Sequence, residues 1–308
     1  MPPDEELARA VAWEEDRDLA LLTAARLQEL ARAESLEFAT ALLYDRLCRA
    51  PANAAFLQAA SNATSNAEVA CELIGVVPGA FHREHRNTGA DGARVLAIAR
   101  AVGCEAELIP TASFGTLEEN ARLILDWLAA HRGRRLGLIS LSKGGAEVKR
   151  ALAAPEAGTA FAEVAAWVSF SGMVQGTPLV DWLQRRPMRW WGVRALLWWR
   201  GHSLQALRDL RHRPLERESD WPAIPPRLRI VHVFGFPLRR HLAHPWATRG
   251  YERLAPLGPN DGGGILLADL ARLPGIVCPL WGADHYLTPS WDMTPILHGI
   301  VHAALAKG

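Results

Sequence analysis

The sequence predicts an α/β protein: a mostly parallel sheet flanked by helices, with a helical extension before it and one helical insertion within it. Two observations carry this. From residue 71 onward, short apolar runs alternate with amphipathic segments of helical length, the rhythm of right-handed βαβ units. Before that, no glycine occurs until Gly75, and Leu7, Val11, Leu19, Leu22, Leu27 and Leu30 recur at helical spacing among acidic and arginine positions. Residues 1–70 are therefore expected to be amphipathic helices packing on something else, and 71–308 to form the sheet domain.

The strands are read in order. CELIGVVPG (71–79) is an apolar run ending in Pro-Gly, as a buried parallel strand would. GARVLAIARAVG (92–103) has helical spacing and closes on Gly103. EAELIP (105–110) is the next strand. In TLEENARLILDWLAAH (116–131), Thr116 and Glu119 have capping-box spacing ahead of a helix. RLGLIS (135–140) is a strand, GGAEVKRALA (144–153) a helix and AAWVSFSG (165–172) a strand. RLRIVHVFGF (227–236) and GIVCPLWG (275–282) complete the set.

Residues 177–225 break the rhythm. The segment is rich in Trp and Arg, lies between two core strands, and is expected to sit as a cap above the sheet. Trp190, Trp191 and Trp198 are then the candidate substrate-binding side chains, lining an apolar pocket. An amphipathic surface helix or a plain packed excursion would produce the same composition.

Bulk properties exclude several classes. The chain has 308 residues, 49% hydrophobic, and a net charge of +1, which gives no drive towards nucleic acid. The balance is uneven, with 6 Lys+Arg against 11 Asp+Glu in residues 1–50, and 15 against 5 in residues 185–253. No run reaches the roughly 18 apolar residues of a spanning helix, and the acidic start lacks the apolar core of a signal peptide. Cys48, Cys71, Cys104 and Cys278 are scattered without metal-ligand spacing. A cytoplasmic protein without cofactor or membrane contact is expected. His82 and His85 have ligand-like spacing but no third partner, so no metal site is expected.

The chemistry concentrates at Ser140-Leu141-Ser142-Lys143-Gly144-Gly145, where a strand pattern turns directly into a helix. A serine on so sharp a turn projects its hydroxyl above the sheet, and the positions two before and two after must be small. Ser140 and Gly144 meet that demand, with Ser140 in place of the usual first glycine. The Lys143 backbone N–H opens the helix and is placed to donate to an oxyanion. Its side chain, beside the nucleophile, suggests a contact with an anionic substrate group. A base belongs on a loop after a late strand, and His285 in WGADHY stands there. For the acid, Asp261 in NDGGG is favoured over Asp269, which reads as helical, and over Asp284, which is adjacent to His285.

From VVPGAF through SLSKGG to NDGG and WGADHY, residues 71–308 resemble the α/β-hydrolase superfamily. The resemblance implies a Ser142–Asp261–His285 triad. It also implies a second oxyanion donor from Pro78-Gly79-Ala80-Phe81, the backbone N–H of Ala80 or of Phe81. The expected activity is hydrolysis of a small-molecule carboxylic ester, with an apolar acyl group, through an acyl-enzyme. A thioester, amide or lipid substrate, or a non-catalytic binding role, are the alternatives the same fold hosts.

Overall fold

The computed structural model describes residues 4–63, 69–84, 88–287 and 292–306. Six strands, β1 (Leu73–Val77), β2 (Glu105–Leu108), β3 (Leu136–Leu141), β4 (Val164–Phe170), β5 (Arg229–Phe236) and β6 (Ile276–Trp281), form one sheet in the order β2-β1-β3-β4-β5-β6. All five pairings are parallel. Each strand coincides with the run expected of it, β3 reaching one residue further to Leu141 and β4 starting one residue earlier at Val164.

The helices are α1 (Glu5–Ala12), α2 (Ala24–Ala33), α3 (Leu36–Arg49), α4 (Pro51–Ser61), α5 (Ala93–Ala101), α6 (Leu117–Ala130) and α7 (Lys143–Leu152). They continue with α8 (Ala157–Ala160), α9 (Pro178–Gln184), α10 (Pro187–Trp199), α11 (Gln205–Arg208), α12 (Pro245–Leu254) and α13 (Thr294–Leu305). At the start of α6 the Thr116 side chain accepts from the Glu119 N–H while Glu119 reaches back to the Thr116 N–H, the reciprocal cap its spacing implies.

Strand side chains alternate between two cores. Leu73, Val77, Leu138, Ile230 and Phe234 pack with α2, α3, α6 and α7 on one face. Ile74, Val76, Ile139, Val168, Val231 and Val233 pack with α5 and α13 on the other. Gly75 lets α6 approach, since a Cβ there would meet the Trp127 ring at 2.7 Å.

The N-terminal helices lie against the β5–β6 end of the sheet, with Phe38, Leu42, Leu43 and Leu47 of α3 fully buried. The edge strand β6 is covered there. Asn53 of α4 accepts from the Val277 N–H (2.9 Å) and donates to the Leu47 carbonyl (2.9 Å). These amphipathic helices thus find the partner their apolar stripes require. Among the described residues no helix is long and apolar enough to cross a membrane.

Candidate active site

Ser142 sits between β3 and α7 with φ 49° and ψ −115°, a region that non-glycine residues avoid. Its surroundings hold it there: its N–H donates to the Phe170 carbonyl (3.0 Å) and its carbonyl accepts from Met173 N–H (2.9 Å). A Cβ on Gly144 would meet the Val77 carbonyl oxygen at 2.7 Å, and one on Gly145 would meet Gly172 Cα at 2.7 Å. The turn closes only because both are glycine. Ser140 is fully buried, and its hydroxyl accepts a hydrogen bond from Trp167 Nε1 (2.8 Å). A serine there satisfies an indole N–H that glycine would leave unpaired.

His285 lies after β6 with Nε2 3.0 Å from Ser142 Oγ. Its Nδ1–H donates to Asp261 Oδ2 at 2.6 Å. Because an ionised carboxylate only accepts, this contact fixes Nδ1 as the protonated nitrogen and leaves Nε2 to accept from the serine hydroxyl. The other Asp261 oxygen accepts from the N–H groups of Gly263 (2.9 Å), Gly264 (3.0 Å) and Ile265 (3.0 Å). The His285 backbone N–H also donates to the Asp261 carbonyl (2.8 Å), so acid and base are tied twice.

Burial works against a charged His285, but the neighbouring charge of Asp261, its hydrogen bond and the more distant charge of Asp284 outweigh it, and the imidazole pKa is raised above its ordinary value. Burial, with Asp261 and Asp284 nearby, pushes the Tyr286 phenol up to about 12. Asp269 is engaged elsewhere, accepting from His212 at 2.6 Å. Asp284 accepts from the Tyr286 N–H (2.9 Å). The structure therefore brings together Ser142, His285 and Asp261, while Asp269 pairs with His212 and the Asp284 carboxylate turns back to the Tyr286 N–H.

The cavity at Ser142 is about 200 Å³, with Ala80, Phe81, Phe170, Met173, Trp246 and Leu287 among its walls. Ala80 and Phe81 stand on the same rim as Ser142, Phe81 with φ 59°. The Lys143 N–H is the first of α7, where a helix leaves its leading donors without a carbonyl partner of its own. The Lys143 side chain does not reach for one. It is 4% exposed and paired with Glu147, whose Oε1 also accepts from Asn120 (2.6 Å). The suggested contact with an anionic substrate group is corrected accordingly: the Lys143 side chain is already paired with Glu147 inside the protein.

Trp190, Trp191 and Trp198 lie outside this cavity. Trp191 and Trp198 on α10 are 63% and 82% exposed, so they do not wall an acyl pocket as expected. The inner side of α10 instead offers Val193 and Leu197 to a second cavity of about 300 Å³, with Phe114, Leu207 and Leu210 opposite. Ala80 and Phe81 belong to both cavities and stand between them. Trp246, Met173 and Leu287 went unseen in the sequence, and only the proximity of Leu287 to His285 hinted at one of them. His82 hydrogen-bonds the Gly79 carbonyl through Nδ1 (3.0 Å), and His85 lies outside the described residues.

Solved structures share the architecture. A metagenomic carboxyl esterase superposes with a TM-score of 0.56 at 21% identity, over 77% of this chain and 75% of the other. The chain has the α/β-hydrolase fold. The mature form of a Bacillus licheniformis lipase gives a TM-score of 0.54 at 19% identity, over 73% of this chain and 89% of its own. No family model and no curated protein matches the sequence.

Proposed function

We propose that the protein hydrolyses carboxylic esters through an acyl-enzyme formed on Ser142. The observation that carries this is the unbroken path from Ser142 Oγ to His285 Nε2 (3.0 Å) and from His285 Nδ1 to Asp261 (2.6 Å), on a strained turn above the sheet. Ser142 Oγ attacks the ester carbonyl carbon as His285 Nε2 takes its proton. The carbonyl oxygen becomes an oxyanion, met by the Lys143 N–H and by the N–H of Ala80 or Phe81. Collapse expels the alkoxide, which leaves as the alcohol with the proton from His285. Water, deprotonated by the same nitrogen, attacks the acyl-enzyme; the acid departs and Ser142 regains its proton. Asp261 holds the imidazole in the productive tautomer.

An apolar acyl part fits the walls available, Phe81, Phe170, Met173 and Leu287 beside the serine and Val193, Leu197 and Leu210 beyond Phe81. Small soluble esters are the proposed substrate class, supported by the carboxyl esterase and lipase among the structures of the same fold. The test is a panel of chromogenic esters of rising acyl length, with a fluorophosphonate probe of the active serine. Ser142→Ala should lose both labelling and turnover, on the order of 10⁶-fold in kcat, with an unchanged circular dichroism spectrum. Activity within tenfold of the parent would refute the assignment. A thioester or amide panel cleaved faster than every ester would move the substrate class and keep the residues.

A further inference from the structure

Helix α10, PMRWWGVRALLWW, is apolar on two sides. Trp190, Val193 and Leu197, spaced by three and four residues, are half-buried against the body of the protein. Met188, Trp191, Ala195, Trp198 and Trp199 follow the same spacing on the opposite side. There Met188 is 89%, Trp198 82% and Trp199 77% exposed, and no residue of the helix is buried. Soluble monomers rarely leave so many large apolar side chains together in water, and such a patch marks a contact.

The charge around it names the partner. Between Asp181 and Asp209 there is no acidic residue, while Arg185, Arg186, Arg189, Arg194, Arg200 and Arg208 occur. The guanidiniums of Arg186, Arg189 and Arg253 crowd the Trp182 ring at 3.8, 5.2 and 4.4 Å. That of Arg194 lies 4.4 Å from the Trp191 ring. Among the described residues no carboxylate pairs with any of these four arginines, so the cluster brings unneutralised positive charge to the edge of the tryptophan face. A second copy docked symmetrically would set arginines against arginines. An anionic bilayer supplies both complements, headgroup phosphates for the arginines and an interfacial layer where tryptophan is at home.

We propose that the outer face of α10 docks on an anionic lipid surface, with Met188, Trp191, Trp198 and Trp199 entering the interfacial layer and the flanking arginines meeting the headgroups. This departs from the expectation of no membrane contact, because two of the three tryptophans assigned to a pocket in the sequence, Trp191 and Trp198, face outward in the structure. Docking would set the bilayer beside the candidate active site. His202, just beyond α10, stacks on Phe114 (3.9 Å), which meets Phe81 edge-on (4.9 Å) at the rim of the Ser142 cavity. The inference concerns binding and stands apart from the reaction proposed above.

The test is co-sedimentation of the full chain with vesicles of phosphatidylcholine alone and with added phosphatidylglycerol, at low and high sodium chloride. The expected result is binding to the anionic vesicles only, weakened by salt. Replacing Arg186, Arg189 and Arg194 by Gln should lower partitioning about a hundredfold, at roughly fivefold per arginine. Trp191→Ser with Trp198→Ser and Trp199→Ser should lower it by a similar factor or more. All these side chains are exposed or half-buried, and an unchanged melting midpoint establishes that each variant is folded. No binding of the parent to anionic vesicles at low salt, or equal binding of parent and tryptophan variant, would overturn the proposal. So would a dimer in sedimentation velocity that the tryptophan variant abolishes while vesicles remain unbound, since the patch would then join two copies.

Discussion

Gly263→Ala isolates the geometry of the base. Gly263 lies against the face of His285, and a Cβ there would stand 2.0 Å from the ring Cγ and 2.2 Å from His285 Cβ. Gly263 is not among the residues of positive φ, so alanine brings bulk without backbone strain. Restoring an ordinary contact of 3.4 Å requires the imidazole to retreat by about 1.4 Å. That breaks the 3.0 Å contact with Ser142 Oγ or the 2.6 Å contact with Asp261. Displacement of about 1 Å at a reacting centre costs on the order of 10²-fold, and the loss in kcat/KM should be at least that. Overpacking at a site that can yield costs about 1–3 kcal/mol in stability, so the variant should still fold. Hydrolysis of a short chromogenic ester gives the first quantity and thermal unfolding the second. Gly192→Ala is the control, because a Cβ there meets nothing within 4 Å. A folded Gly263→Ala enzyme within threefold of the parent would refute the claim that His285 works from the position described.

Asp261→Asn should cost roughly 10⁴-fold in kcat, as expected when an orienting carboxylate is lost. The acid limb of kcat/KM in the parent should lie above pH 6.5, the ordinary value for His285, because only the neutral ring accepts the serine proton. In the Asn variant, without the neighbouring charge, it should move down. The raised pKa also makes His285 a stabilising group on the acid side: its contribution is complete below pH 6.5 and is lost as pH rises through the folded value. Denaturant titrations of parent and His285→Gln across that window should therefore converge towards alkaline pH. Val193→Trp, filling the cavity under α10, should reduce the ratio of kcat/KM for long over short acyl esters by roughly fourfold for each methylene excluded. An unchanged ratio would place the acyl chain elsewhere.

The sheet was legible because its inner strands are short buried apolar runs, the trace parallel strands leave, while the exposed edge strand β2, EAEL, was marked by its place between Gly103 and Pro110. Ser142 could be read because the turn constrains its neighbours: Gly144 and Gly145 are where a Cβ would strike backbone. Asp261 stood out by its glycines, and the structure gives the reason, since Gly263 and Gly264 supply N–H groups to one carboxylate oxygen while Gly263 makes room for the imidazole. The tryptophans of 177–225 were not legible. α10 is apolar on both sides, so periodicity marks a helix but does not say which side turns inward. The remaining cavity walls were hidden for another reason, because Met173 and Leu287 come from two distant loops and Trp246 from the start of α12, which only the fold assembles.

The bond between Asn53 and Val277 joins positions 224 residues apart, and the α3 side chains beside it rest on the last strands of the sheet. On a ribosome adding about 5–20 residues per second, β6 emerges roughly 10–45 s after α4. Through that interval Phe38, Leu42, Leu43 and Leu47 have been synthesised but their docking place has not. Closure of the sheet end is therefore a late event of biogenesis, and slowing translation lengthens the time during which nascent chains can associate through these helices. The yield of native protein should depend on chaperones that shield the first sixty residues, more than on the intrinsic stability of the finished fold.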